Sequence, residues 1–326
     1  MKRAHSAGVA KWPPSEVAAS PERSIGAAPP RSTMTVPPGE APGPPPETTI
    51  LMGPPPPPPT ATEISCPEWW TAKPPVDSSE LVSVTSSIRK AVQDLMNTTW
   101  KDVVTRDRFR QLGARATVSK FEVVQVNRNE NPKQWQEYVT KRCSVSSHLT
   151  DEHVLRGVLT ERAGPELGAP EPGANEFLLW HGTKPSACAS ICSQDFLLRL
   201  SGSHRGVLYG HGLYFAESVS KADEYADDDK EGAYKGLYAM LLCRVALGRS
   251  LYTDEESPDG ARLRAACTGP NAEYDSVLGD REKARGTYRE FVVYDGAQAY
   301  PEYVVIYRRE EVEKQVDGED METNQV

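Results

Sequence analysis

His181 is the first residue of this chain with an evident capacity for chemistry. It follows an apolar run, Phe177–Trp180, and precedes Gly182 and Thr183. A glycine here lets a ligand approach the backbone closely, so that an N–H and a C=O can grip a flat amide, and the Thr183 hydroxyl adds another hydrogen-bonding group. The same residues are equally typical of a turn after a buried strand, with His181 hydrogen-bonded for structure. Both interpretations stay open at this point.

Two tyrosines offer ring faces to a flat ligand. Tyr214 lies in the segment Gly-His-Gly-Leu-Tyr-Phe-Ala at 210–216, where two glycines make room in front of a predicted strand. Tyr225 follows on a helix predicted to begin near Ser218, where its ring would close a sandwich. Either tyrosine alone is also typical of core or interface packing.

Glu290 begins a predicted strand, Arg289–Asp295. Because side chains alternate along a strand, Glu290 shares one face with Val292 and Tyr294. A carboxylate at a strand end is usually solvated. If this end instead faces a cleft, Glu290 is a fixed negative charge beside whatever binds there.

Apolar periodicity predicts the elements that must position these residues. Ser78–Leu81 opens a predicted helix whose apolar positions recur at three- and four-residue steps as far as Met96. Further predicted elements are strands at Phe121–Val126, Phe177–Trp180, Tyr238–Tyr252 (broken at Gly248) and Tyr303–Arg308, helices at Lys133–Arg142 and Pro185–Ser193, and a loop at Glu161–Ala174. Strands outnumber helices in the C-terminal half without a βαβ rhythm. The predicted class is therefore α+β with mainly antiparallel pairing.

Composition divides the chain into three parts. Twenty of its 28 prolines fall between Pro13 and Pro75, so we expect residues 1–75 to form a disordered arm whose removal leaves folding intact. Residues 78–310 form the predicted domain, and we expect 311–326 to be an acidic disordered tail. The run Pro54–Pro59 is suited to a polyproline II helix, which would serve either as a ligand for an aromatic-groove domain or as a stiff spacer.

Charge and hydropathy argue against several classes of protein. A net charge of −9 disfavours sequence-independent binding to nucleic acid, because binding to phosphates needs clustered Lys and Arg. No run reaches the ~18 apolar residues of a membrane span, and no secretory signal is visible. The six cysteines lack the spacing of a disulfide framework, so we expect free thiols in a reducing compartment. The predicted location is intracellular, either nuclear or cytoplasmic. Cys188 and Cys192 lack two further metal ligands, and a Cys–His hydrolase built on either lacks a context that would orient the base.

Taken in order, the four segments around His181, Tyr214, Tyr225 and Glu290 resemble the NAD-binding signature of the poly(ADP-ribose) polymerase family of ADP-ribosyltransferases. The resemblance covers about residues 121–307, and its segment at 298–303 is similar to the tankyrase branch. It implies an ADP-ribosyltransferase fold with a split, mainly antiparallel sheet core and flanking helices.

By this resemblance, His181, Tyr214 and Glu290 are the catalytic residues. His181 would hold the adenosine-side ribose and Gly182 the nicotinamide amide, with Tyr214 and Tyr225 as the stacking rings. The full set of NAD-binding positions implied is His181, Gly182, Thr183, Gly212, Tyr214, Phe215, Ala216 and Tyr225. NAD enters as substrate, and no metal is implied.

The implied activity is transfer of ADP-ribose from NAD to acceptor proteins with release of nicotinamide. The glutamate goes with chain elongation in this family, so poly(ADP-ribose) is a possible product, and transfer of a single unit is an alternative. A second alternative is an inactive scaffold that only holds NAD or ADP-ribose. One departure is Ala222, where the better-known members carry a serine that contacts the nicotinamide amide. The acceptor-side loop, about Leu197–Tyr209, is expected to help decide product length.

Overall fold

The computed structural model describes residues 65–103, 105–112, 116–196 and 207–313. The predicted arm as far as residue 64, with its run Pro54–Pro59, lies outside the described residues. So do 197–206 of the predicted acceptor-side loop and the tail from residue 314.

Within the described residues, nine strands form one sheet. The strands are β1 (Glu80–Ser83), β2 (Ala116–Glu130), β3 (Glu176–Thr183), β4 (Leu213–Ala216), β5 (Tyr238–Ala246), β6 (Ser250–Thr253), β7 (Ser276–Asp280), β8 (Arg289–Val293) and β9 (Ala299–Glu313). Their spatial order is β1-β2-β9-β5-β3-β4-β8-β7-β6. Neighbours pair antiparallel except β6 and β7, which are parallel. The predicted α+β class with a mainly antiparallel sheet is confirmed.

Seven α-helices lie among these strands in the described residues. They are α1 (Ser86–Thr99), α2 (Arg106–Leu112), α3 (Pro132–Ser146), α4 (Pro185–Gln194), α5 (Val219–Asp223), α6 (Gly260–Ala266) and α7 (Arg281–Arg285). Short 3₁₀ turns occur at Asp151–His153, Leu159–Arg162, Pro165–Leu167, Pro172–Ala174 and Gly296–Gln298. No helix of the described part is both long and apolar enough to cross a bilayer.

The predicted start of the first helix is wrong. Residues Glu80–Ser83 form strand β1 instead, because their backbone pairs with β2, Glu80 opposite Glu130. The helix begins at Ser86, where the Thr85 hydroxyl accepts a hydrogen bond from the N–H of Ile88 and caps the first turn. Leu81, which the helical pattern included, is 40% exposed on the strand.

The other predicted elements are confirmed with adjusted ends. The strands predicted at 121–126, 177–180 and 303–308 lie within β2, β3 and β9, and β8 ends two residues before the predicted Asp295. The two later helices are α3 and α4. The run 238–252 divides into β5 and β6 around Gly248, whose φ of +54° lies in the left-handed region. The predicted loop 161–174 contains two complete 3₁₀ turns and the end of a third, and both complete turns begin at a proline.

The segment before β1 packs on the domain. The Trp70 side chain is 2% exposed and its ring lies 6.0 Å from that of Trp135 and 6.3 Å from that of Tyr300. The Glu130 carboxylate, also buried, accepts hydrogen bonds from the backbone N–H groups of residues 71, 72 and 73 at 2.7–3.0 Å. Packing of the domain therefore reaches Trp70, N-terminal to the boundary predicted at residue 75.

Apolar side chains cover both faces of the sheet. On one face, α1 contributes Val92, Leu95 and Met96 to the cluster that contains Trp180. On the other, α4 and the alternate residues of β3 and β5 form a second cluster. The Trp180 indole N–H donates to the Thr99 hydroxyl at 3.2 Å, which ties β3 to the end of α1. This contact fixes the strand one residue before His181.

Candidate active site

Three adjacent strands bring His181, Tyr214 and Glu290 to one region. Trp180 of β3 lies opposite Ala216 of β4, and Ala216 lies opposite Glu290 of β8. Strand β4, which carries Tyr214, therefore lies between the strands of His181 and Glu290. Residues far apart in sequence meet here because the sheet order places β4 between β3 and β8.

The His181 imidazole is held by one hydrogen bond and two aromatic rings. Its Nδ1 lies 2.9 Å from the carbonyl oxygen of Tyr214, and since a carbonyl only accepts, Nδ1 carries the proton. The rings of Phe196 and Phe215 lie 5.3 and 5.5 Å away. Burial lowers the pKa of His181, and the hydrogen bond to Tyr214 opposes that only in part. At neutral pH the ring is neutral, with Nε2 as an acceptor for a ligand hydroxyl.

Gly182 is required by close packing of two backbones. A Cβ added there would lie 1.9 Å from the carbonyl oxygen of Ala222. Gly212 is packed in a similar way, since its Cβ would lie 2.7 Å from Cγ1 of Val292. Both glycines are predicted from the sequence to make room for a ligand, and this close packing is a second reason for glycine at the two positions. Next to Gly182, the Thr183 carbonyl accepts from the N–H of Asp227 at 3.3 Å.

The Tyr214 hydroxyl is anchored at both of its hydrogen-bonding functions. It donates to the carbonyl of Gly210 at 2.8 Å and accepts from the N–H of Tyr209 at 3.0 Å. Burial, and to a smaller extent the charge of Glu290, raises its pKa well above the usual range. The ring is therefore neutral and fixed in orientation.

Tyr225 lies two residues beyond α5 rather than on it. The helix ends at Asp223, and the N–H of Tyr225 donates to the Ala222 carbonyl in the turn that follows. Tyr225 is 38% exposed, so part of its surface is open to a ligand. The Lys221 ammonium lies 4.9 Å from the ring centroid and 3.4 Å from the hydroxyl. Burial raises the pKa of Tyr225, and the charge of Glu290 raises it further.

Glu290 is 7% exposed, so it is not the solvated strand end that its pattern alone favoured. Its Oε1 lies 3.3 Å from the ammonium of Lys221. Although burial alone would lower the pKa of Lys221, the surrounding negative groups, Glu290 first, raise it well above its usual value. The site therefore holds a buried carboxylate against a permanent cation.

Lys221 and Glu224 are the residues that the sequence analysis missed. The Lys221 ammonium lies 3.0 Å from Oε2 of Glu224, so it is shared between two carboxylates. The available signal was their spacing, since positions i and i+3 of one helical turn are neighbours. What the sequence alone did not indicate is that Glu290 lies against the same ammonium.

A buried network of ion pairs holds the end of helix α5 in place. Asp223, fully buried, pairs with the guanidinium groups of Arg108 and Arg309, and the Tyr307 hydroxyl donates to it. Arg108 also donates to the Ser220 carbonyl at 2.8 Å. These contacts orient the turn that carries Lys221 and Tyr225.

The cysteines show no features of a nucleophile or a metal site. All six are unpaired thiols, as predicted, and Cys188 and Cys192 are buried. Burial raises the pKa of Cys188 to about 12 and also raises that of Cys192, so neither is a thiolate at neutral pH. Over the described ranges, no three His, Cys, Asp or Glu side chains converge in the way that metal binding requires. The intracellular location, nuclear or cytoplasmic, stays a prediction.

The family model for the poly(ADP-ribose) polymerase catalytic domain matches residues 105–309, which include His181, Tyr214, Tyr225 and Glu290. The chain belongs to this family.

The curated relatives include proteins named as mono-ADP-ribosyltransferases and proteins named as poly(ADP-ribose) polymerases. The chain is 30% identical over 154 residues to "Protein mono-ADP-ribosyltransferase PARP11" from Mus musculus, a match covering 41% of this chain and 43% of that protein. It is 32% identical over 133 residues to the human PARP12 of the same descriptive name, covering 41% and 17%. It is also 32% identical over 155 residues to "Poly [ADP-ribose] polymerase 2" from Arabidopsis thaliana, covering 40% and 24%. The chain thus spans less than half the length of these relatives, and its likeness to the tankyrase branch stays a prediction.

Proposed function

We propose that this chain is an NAD-dependent ADP-ribosyltransferase that transfers ADP-ribose from NAD to protein side chains and releases nicotinamide. The observation that carries this proposal is the buried Glu290 carboxylate at the end of β8, held beside the His181 and Tyr214 strands and against Lys221. Membership of the family supports it further.

The residues of the site fit NAD as a substrate. The neutral His181 ring offers Nε2 to a ribose hydroxyl, because its Nδ1 proton is engaged by the backbone. Tyr214 is fixed by its hydroxyl and Tyr225 has an accessible surface, which suits stacking on the nicotinamide ring. Gly182 has no side chain, which suits the predicted contact of its backbone with the nicotinamide amide. Together these groups would fix the leaving group before bond cleavage.

The reaction breaks the bond between the ribose anomeric carbon and the nicotinamide nitrogen. The bonding electron pair leaves with nicotinamide, which becomes neutral, and positive charge develops on the ribose as in glycoside cleavage. Glu290 would stabilise that charge electrostatically, since its carboxylate is already in position and desolvated. The acceptor nucleophile then forms a bond to the anomeric carbon and loses its proton.

Chain elongation is a second candidate for the product. Glu290 favours it, because the family resemblance associates this glutamate with polymer formation. The names of the PARP11 and PARP12 relatives favour transfer of a single unit. We propose mono-ADP-ribosylation as the basal activity, with elongation as an extension of the same chemistry.

The test is incubation of the full chain with labelled NAD and candidate acceptor proteins, resolved on a denaturing gel. A discrete labelled band with equimolar nicotinamide indicates single-unit transfer, and a ladder indicates elongation. NAD binding without either product would support the scaffold alternative and overturn the proposal. A chain that lacks Pro54–Pro59, assayed in parallel for acceptor range, tests whether this run serves as a ligand for a partner domain or as a stiff spacer.

A further inference from the structure

We propose that Glu224 is a positioning residue for this reaction: it pairs with the same Lys221 ammonium as Glu290 and so keeps the Glu290 charge available to the substrate. The inference rests on the proposed function. It concerns a residue that lies outside the His181, Tyr214 and Glu290 set.

The geometry places one ammonium between two carboxylates. Lys221 lies 3.0 Å from Glu224 and 3.3 Å from Glu290, and all three side chains are largely or wholly buried. A buried charge is tolerated only with partners, so each member of this set depends on the others. The closer contact is with Glu224, which directly follows α5, whereas Glu290 lies on β8.

The sharing of the ammonium has an electrostatic consequence. If Lys221 paired with Glu290 alone, its positive charge would neutralise the carboxylate that the developing ribose cation needs. The ammonium lies closer to Glu224 than to Glu290, so its charge is shared with a second carboxylate. Burial raises the pKa of Glu224 while the charge of Lys221 opposes that rise, and in the ionised state two carboxylates face one ammonium. Without the Glu224 charge, Lys221 would be free to close on Glu290, and transition-state stabilisation would fall while the contacts that bind NAD remain.

A contact from another helix fixes Glu224. The Thr105 hydroxyl donates a hydrogen bond to Oε1 of Glu224. Thr105 also accepts from the N–H of Arg108 at 3.0 Å, which caps the first turn of α2. Arg108 in turn is paired with the buried Asp223. Helix α2 thus reaches the Glu290 cluster through Thr105 and Glu224, although it lies outside the strands that carry the catalytic set.

The experiment measures NAD turnover, as nicotinamide release, for Glu224→Gln in the full chain. We expect kcat to fall on the order of ten- to a hundred-fold, with KM for NAD changed by no more than about two-fold, because only charge placement is lost. Thr105→Val, which removes only the hydroxyl, should lower kcat in the same direction by a smaller factor. Glu122→Gln is the matched control, since Glu122 is an exposed strand carboxylate that pairs with Arg308, and its kinetics should equal those of the unmodified chain.

The double variant separates positioning from a general structural role. If Glu224 acts through Lys221, then Glu224→Gln should have no further effect on kcat in a Lys221→Met background. Equal losses in both backgrounds, or an unchanged kcat in Glu224→Gln, would overturn the inference while nicotinamide release by the unmodified chain still supports the proposed function. If Glu224→Gln does not fold, as judged by circular dichroism, Thr105→Val decides: an unchanged kcat overturns the inference. No release by the unmodified chain overturns both proposals.

Discussion

Residues 65–75 are predicted to contribute several kcal/mol to the stability of the domain. Their removal would take away the Trp70 ring, which is 2% exposed between Trp135 and Tyr300. It would also remove three backbone N–H donors from the buried Glu130 carboxylate. The perturbation is a pair of truncated chains, one that begins at residue 65 and one at residue 76.

The magnitude follows from these contacts. Loss of a buried tryptophan side chain costs about 3–5 kcal/mol. Arg128 and entering water would still satisfy Glu130, so we assign about 2 kcal/mol to its three lost hydrogen bonds together. A loss of about 5–7 kcal/mol lowers the Tm of a domain of this size by about 10–28 °C. The chain that begins at residue 65 should melt as the full chain does, because the composition of 1–64 offers no core to lose.

The assay is thermal unfolding followed by circular dichroism, with two point variants as internal controls. Trp70→Ala should reproduce most of the loss, whereas Trp69→Ala, at a position 49% exposed, should cost only about 1 kcal/mol.

Burial alone would raise the pKa of Glu130, but hydrogen bonds from residues 71, 128, 73 and 72 lower it below its usual 4.5. This carboxylate therefore adds stability above pH 4.5, and the difference in Tm should narrow as pH falls through its lowered pKa. Truncated chains that melt within about 2 °C of each other would show that residues 65–75 do not stabilise the domain.

Three further predictions concern the site. Tyr225→Ala should weaken binding of nicotinamide-like inhibitors by about 1 kcal/mol or more, measured by calorimetry, whereas Tyr252→Ala, at another exposed tyrosine, should not; equal affinities would mean that Tyr225 is not a stacking ring. Ala222→Ser should lower KM for NAD by a few-fold, because one hydrogen bond to the nicotinamide amide is worth about 1 kcal/mol; an unchanged KM would show that this position does not contact the amide. Burial lowers the pKa of His181 below 6.5, so the acceptor Nε2 is lost only as pH falls through that lowered value. Calorimetric NAD affinity should accordingly stay constant from pH 8 to 6.5 and decline only below, and a midpoint above 6.5 would contradict the neutral ring.

Local patterns were sufficient to predict much of the sheet. The alternation around Glu290 and in 303–308 correctly predicted β8 and β9, because the two faces of a strand differ in burial along the chain itself. Strand β1 was missed because its stability comes from pairing with β2, some fifty residues later, and not from its own pattern. A helical periodicity in the same residues therefore led to the wrong element.

The site was predictable as a set of segments but not as an arrangement of charges. Resemblance selected His181, Tyr214, Tyr225 and Glu290, and the sheet order brings their strands together. The burial of Glu290 and its contact with Lys221 depend on how α5 packs against β8, which no local pattern encodes. The requirement for glycine at 182 was likewise visible only once the Ala222 carbonyl was found beside it.

The central claim is that the Glu290 carboxylate stabilises a developing positive charge on the ribose of NAD. Glu290→Gln keeps the shape and removes the charge, so nicotinamide release and calorimetric NAD affinity are to be measured on this variant and on the exposed control Glu122→Gln. We expect turnover lower by on the order of 10²-fold or more for Glu290→Gln, with NAD binding retained, and no change for the control. Unchanged turnover in Glu290→Gln would contradict it and remove Glu290 from the site.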